Sequence, residues 1–89
     1  MDFEWDAVKD AVNLAKHGVR FAQAARVFAD PSRLERIDRR RDYGEERRQT
    51  IGEVDGRVLF VAYTVRGGRI RLISARRAHR HEEEAYRQS

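Results

Sequence analysis

Seventeen arginines, two lysines, three histidines and no cysteine set the chemistry open to this chain. Without a thiol there is no cysteine nucleophile, no thiolate metal site and no disulfide. Ser32, Ser74 and Ser89 stand in no recognisable pairing with a base. The carboxylates are scattered. His79 and His81 are two residues apart on a predicted helix and so point to different sides. No His-x-x-x-His or Glu-x-x-His spacing occurs, and metal catalysis is not expected. Gly67-Gly68 is a hairpin turn rather than a phosphate-cradling loop. What remains is arginine, with a lysine, a histidine and tyrosines able to converge on it, a set that suits a polyanion. RNA brings its own nucleophile, the 2′-OH. Cleaving it needs a base at that hydroxyl, cations at the phosphate and an acid at the leaving oxygen. Histidine fits the proton transfers and arginine the phosphate charge, with no metal required. Plain nucleic-acid binding would use the same composition.

The position of the charge says more than its sum of +4. Residues 1–30 hold four basic and five acidic groups, and residues 31–60 eight and seven. Residues 61–81 hold Arg66, Arg69, Arg71, Arg76, Arg77 and Arg80 and no acid, and residues 82–89 hold three Glu and one Arg. A GC-rich genome also favours arginine over lysine, but uniform bias does not predict such clustering. The 89 residues suit one domain spanning 1–89. No apolar run approaches the roughly 18 residues of a membrane span, and no signal peptide is expected. A cytoplasmic protein without membrane contact is expected.

The elements that must position these groups follow from periodicity. Asp2 to Trp5 alternates, with Phe3 and Trp5 on one side of a short strand. Asp6 is a helix N-cap, and Val8, Ala11, Val12 and Ala15 form the apolar stripe of a helix over residues 7–16. Lys16 and His17 complement the dipole in its last turn, before a Gly18 C-cap. A second helix begins near Arg20, with Phe21, Ala24, Ala25 and Phe28 as its stripe, and ends at Asp30-Pro31. Residues 33–38 are an ambiguous strand. Arg39, Arg40 and Arg41 begin an exposed loop or hairpin tip, and strand character returns over Gln49 to Val54. Asp55-Gly56 is a type I′ turn signal. Val58–Val65 and Arg69–Arg77 are strands joined at Gly67-Gly68, and Ala78–Gln88 a final helix.

With Gly67-Gly68 as turn residues, Arg66 pairs with Arg69, Val65 with Ile70, Thr64 with Arg71, Tyr63 with Leu72 and Ala62 with Ile73. Leu59, Val61, Tyr63, Val65, Ile70 and Leu72 then form a core face for the helices. Arg66, Arg69, Thr64 and Arg71 fall on the other, where the guanidinium groups repel unless an anion sits between them. One β-bulge would shift the far end and flip Arg76 and Arg77.

Particular residues also carry a resemblance. Phe3-Glu4-Trp5-Asp6, Lys9, Asn13, Lys16-His17-Gly18, Phe21, Ala24-Ala25 and Val27-Phe28 closely resemble the start of the BrnT family of bacterial toxins. The likeness continues through Gly44-Glu45-Glu46-Arg47, Ile51-Gly52, Gly56-Arg57, Tyr63-Thr64, Arg66 and Arg69-Ile70-Arg71 to Ile73-Ser74-Ala75-Arg76-Arg77-Ala78, Glu82 and Tyr86. It implies an α+β, RelE-like fold: a small antiparallel sheet with two N-terminal helices on one face and a short C-terminal helix. It further implies a metal-independent, cofactor-free ribonuclease toxin that blocks translation. A BrnA-like ribbon-helix-helix antitoxin would neutralise it in a 2:2 heterotetramer, and the complex would bind and repress its own operator DNA. Arg20 departs from the Ser or Thr that often opens the second helix, and Glu82-Glu83-Glu84 is more acidic than the family's tail.

The expected roles follow. Arg66, Arg71 and Arg76 stabilise the scissile phosphate, Lys16, His17 or Glu82 handles protons, and Arg69, Arg77, Tyr63, Arg39 and Arg40 contact RNA. Cleavage should proceed in EDTA, leave a 2′,3′-cyclic phosphate and be mostly lost in Arg66→Ala. Each residue also has a plainer reading. Lys16 and His17 serve a helix terminus, Tyr63 and Trp5 the core, Arg39–Arg41 a solvated loop, and Glu82 a helix surface or the orientation of Arg76. The alternative function is a degenerate toxin or co-repressor that acts only through its antitoxin on DNA.

Overall fold

A computed structural model describes all residues 1–89. The chain opens with β1 (Phe3–Glu4), α1 (Ala7–His17), α2 (Phe21–Ala24) and a 3₁₀ segment (Ala25–Ala29). Strands β2 (Leu34–Asp38), β3 (Arg47–Val54), β4 (Arg57–Arg66) and β5 (Arg69–Arg77) follow, and α3 (Arg80–Gln88) closes the chain. The five strands form one sheet in the order β1-β5-β4-β3-β2. No helix is long and apolar enough to cross a membrane.

The turns hold the expected hairpins in register. Asp55 (φ 51°) and Gly56 (φ 80°) both take the left-handed conformation that a type I′ turn requires. Gly67 and Gly68 do the same, and Arg66–Arg69, Val65–Ile70, Thr64–Arg71 and Tyr63–Leu72 face each other as expected. Beyond Tyr63 a bulge intervenes. Ala62 pairs with Ser74 rather than Ile73, and Phe60 pairs with Arg76. The extra residue, Ile73, puts Arg76 on the face shared by Phe60, Ala62 and Thr64, away from Leu59, Val61 and Tyr63.

Two expectations need correction. The sheet is mixed, because β1 runs parallel to β5, with Phe3 opposite Ile70 and Glu4 opposite Arg71. A two-residue strand says nothing in sequence about its partner or direction. The second correction concerns α1. Its Val8–Ala11–Val12–Ala15 stripe faces solvent, with Val8 and Val12 72% and 58% exposed. The buried residue of α1 is Asn13. Its Nδ2 donates to the carbonyls of Ala75 (2.8 Å) and Val19 (2.9 Å), and its Oδ1 accepts from the Ala75 amide (3.1 Å). The side-chain amide thus bonds β5 as a neighbouring strand would, where β1 has ended. Polar bonding to a strand, not an apolar stripe, fixes the helix.

Local chemistry accounts for the helix ends. Asp6 accepts from the amides of Val8 and Lys9, and Gly18 closes α1 at φ 71°. At Arg20, which offers no capping side chain, Asp10 reaches from α1 to accept from the Phe21 amide at 2.8 Å. The second helix tightens into 3₁₀ after Ala24, which buries Val27 beside Phe21 and Ala24. These pack with Leu59, Val61, Tyr63, Leu72 and Ala75 as the core, flanked by Phe3, Trp5, Phe28 and Ile70. Val65, at the hairpin's open end, is 55% exposed rather than core. Close approach of the 3₁₀ segment needs Gly52, where a Cβ would stand 2.7 Å from Val27 Cγ2.

Candidate functional site

The sheet face opposite the core carries three rows of side chains. Arg36, Gln49, Ala62 and Ser74 lie side by side across β2, β3, β4 and β5. Leu34, Ile51, Phe60 and Arg76 form the row beside them. Thr64, Arg71 and Glu4 lie on the far side of the Ala62–Ser74 pair. The small side chains of Ala62 and Ser74 therefore floor a trough between arginines. Helix α3 packs against β3 and sends Glu82 back to Arg76.

Arg76 is the most constrained of these cations. Its guanidinium stacks 4.1 Å from the centroid of the Phe60 ring. Nη1 and Nη2 donate to the two Glu82 carboxylate oxygens at 2.8 and 3.0 Å, and Nη1 also donates to the Arg77 carbonyl. The N–H groups of Nε and one on Nη2 stay free, the side of the fork that matches two phosphate oxygens. Glu82 is itself 7% exposed and accepts from the His79 amide at 2.7 Å, in a capping box that starts α3. Burial alone would raise its pKa, but the hydrogen bonds from Arg76 and the His79 amide outweigh that and hold it down at about 2. Such a carboxylate stays charged at neutral pH and is a weak base.

The other expected residues are distributed around this point. Arg71 donates from Nη1 to Glu4 at 3.1 Å, leaving its Nε and Nη2 without protein partners. Arg66 spends Nε and Nη2 on Glu45 Oε1, at 3.0 and 2.7 Å, and so lowers the Glu45 pKa. The expected repulsion among these guanidinium groups is relieved by the protein's own carboxylates. Arg40 is paired the same way, through Nε and Nη2, with Asp38, whose acidity it strengthens. Arg39 is exposed in the β2–β3 loop, and Arg69 and Arg77 are exposed at the two ends of β5. Tyr63 lies on the core face, 5% exposed, with its ring edge-on to Phe28 and its hydroxyl donating to Glu35 at 2.7 Å. Burial and then Glu35 push its pKa up to about 12.

Lys16 and His17 close α1. The chain passes β5 at Ile70 with Phe3 and at Ala75 with Asn13, so α1 advances in the direction of β5. Lys16 and His17 lie three and four residues past Asn13, in the last turn of α1, and neither forms a hydrogen bond or ion pair with Arg71, Arg76 or Glu82. Arg76, Arg77 and the start of α3 occupy one end of the sheet, and Arg66, Arg69 and the β2–β3 loop the other. Arg36, Gln49 and Phe60 were not singled out from sequence. Their signal was the shared alternation of β2, β3 and β4, too weak in β2 to assign a face.

No group of three or more histidine and acidic side chains converges as a metal site. None of the curated proteins compared matches this chain. A family model described as the ribonuclease toxin BrnT of type II toxin–antitoxin systems matches residues 5–82. That span takes in α1, the trough, Arg76 and Glu82, and the chain belongs to the BrnT family of ribonuclease toxins.

Proposed function

We propose that this protein is a metal-independent endoribonuclease, on a RelE-like frame, that cleaves RNA in the trough beside Arg76. The observation that carries the reading is the open half of the Arg76 fork, held in place by Phe60 and Glu82. A 2′-hydroxyl loses its proton to a base, and its oxygen attacks the adjacent phosphorus. The bond from phosphorus to the 5′-oxygen breaks, and an acid protonates that oxygen. The products are a 2′,3′-cyclic phosphate and a 5′-hydroxyl. Arg76 donates to the phosphate oxygens that gain charge, and Arg71, across the Ala62–Ser74 pair toward the hairpin, serves a neighbouring phosphate. Lys16 and His17, in the last turn of α1, are the groups for proton transfer in this reading. Glu82, with its depressed pKa, positions Arg76 and leaves proton transfer to them. Arg66 has its fork filled by Glu45, which moves the main phosphate contact from the hairpin tip to Arg76. Arg69, Arg77, Arg39 and Arg40 extend the positive surface for flanking RNA, while Tyr63 supports the core.

The biological setting follows the family. The toxin acts in the cytoplasm and is neutralised by a BrnA-like ribbon-helix-helix antitoxin in a 2:2 complex that represses its own operon. The decisive experiment incubates purified toxin with RNA in EDTA and identifies the 3′ ends. Cyclic phosphate termini, lost in Arg76→Ala and largely kept in Arg66→Ala, are expected. A strict Mg²⁺ requirement, or normal cleavage by Arg76→Ala, overturns the mechanism. Growth arrest on expression without antitoxin, relieved by co-expression, separates the enzyme from a toxin-like co-repressor.

A further inference from the structure

Between α3 and strands β2 and β3 lies a cavity of about 330 Å³ that shares Glu82 with the Arg76 clamp. This is within the range of small-ligand sites. Leu34, Ile51 and Ala85 give it apolar walls, and Arg36, Gln49 and His81 supply polar groups. Gln49 is 4% exposed, and its Oε1 accepts from Arg36 Nε. An arginine only donates, so the amide oxygen must face it and the Nε2 amino group must point away. That amino group has no partner in the protein, and neither do the two terminal nitrogens of Arg36. The nearby carboxylates already accept hydrogen bonds within the protein. Glu35 holds Tyr63 and Arg33, and Glu82 holds Arg76 and the His79 amide. Apart from the His81 ring and the remaining lone pairs of Glu35 and Glu82, the unpartnered polar groups of the cavity are donors.

We propose that this cavity is a base-selecting subsite that takes a guanine next to the phosphate held by Arg76. The inference rests on the ribonuclease reading of that neighbouring site. A flat, partly apolar ring fits between the aliphatic walls, with the exposed His81 imidazole available for stacking. Guanine offers two adjacent acceptors, O6 and N7, to donors of the Arg and Gln type. Uracil offers one acceptor on the matching edge. On that same edge adenine and cytosine present an amino donor and match these donors less well.

Binding is measured by fluorescence anisotropy on the full chain, with 2′-O-methyl pentanucleotides CCXCC in which X is G, U, A or C. These lack the nucleophilic hydroxyl, so binding is read without cleavage. The G oligonucleotide should bind tightest, with A and C about tenfold weaker. Gln49→Glu replaces the free donor with an acceptor and should move the preference toward A and C. Arg36→Met, at an exposed strand position, should flatten it, with melting curves checking the fold of both variants. Equal or undetectable binding of the four, or an order unchanged in both folded variants, overturns the subsite. RNA cleavage in EDTA with flat binding would sink the subsite and leave the ribonuclease reading intact. Selective binding with no cleavage would do the reverse.

Discussion

Arg66 and Arg76 carry the same side chain on the same sheet face, and their surroundings give them different work. Glu45 takes the Nε–Nη2 side of Arg66, whereas Glu82 takes the terminal side of Arg76 and leaves Nε and one Nη2 hydrogen open. Arg76→Ala should lower the cleavage rate by roughly 10²–10³-fold, the usual effect of losing one donor to a charge that develops in the transition state. Single-turnover cleavage of a defined RNA reads this directly. Glu82 also makes a pH prediction. Its folded pKa is depressed, so its contribution to stability is full above the unfolded carboxylate value and is lost as pH falls toward about 2. Other carboxylates with lowered pKa, Glu45 and Asp30 among them, act in the same window. The comparison of wild type with Glu82→Gln isolates the residue. The stability advantage of wild type at pH 6 should shrink between about pH 4.5 and 2, as followed by denaturant titration at each pH.

At the scale of elements, one polar side chain joins α1 to the sheet. Asn13→Ala breaks three hydrogen bonds and leaves both the Ala75 amide and carbonyl without that partner. A loss of about 2–4 kcal/mol is expected, measured by chemical denaturation. By contrast, Val8→Ser with Val12→Ser should change stability by under about 1 kcal/mol, because these exposed side chains bury little surface. That pair tests the orientation of the helix. Much of this level was legible in sequence: the Asp6 cap, the Gly18 terminus, both two-residue turns and the hairpin register as far as Tyr63 are local properties of short segments. The facing of α1 was not. Its apolar residues recur at helical spacing, and periodicity cannot tell a stripe that meets the core from one that does not. Asn13 gave no sign, since an asparagine bonded to a strand sixty-two residues away looks like any surface amide.

Over the whole molecule, the charge is organised by pairing. Ten of the seventeen arginines sit in ion pairs, including Arg66, Arg71 and Arg76. Phosphate contacts at the trough therefore share guanidinium groups with carboxylates already present. Glu4→Gln leaves Arg71 with less competing charge. It should raise RNA affinity and steepen the dependence of log K on log salt by up to about 0.7, the single-strand value per added phosphate contact. Affinities of a non-cleavable RNA at several salt concentrations give this slope. An unchanged slope and affinity would mean that Arg71 does not touch phosphate.

The sequence by itself determined the elements, their turns, the concentration of basic residues in 61–81 and, through motifs spread along the chain, the toxin family. Those features depend on neighbours a few residues apart or on the order of many short motifs. Tertiary structure alone decided which guanidinium groups keep donors free. Glu4 meets Arg71 only because β1 lies parallel to β5, and Glu45 meets Arg66 only because the β2–β3 loop returns to the hairpin tip. The bulge at Ile73 decided that Arg76 stacks on Phe60 and faces Glu82. A one-residue slip reverses the face of every later side chain in a strand, and no local pattern in Arg69–Arg77 announces it.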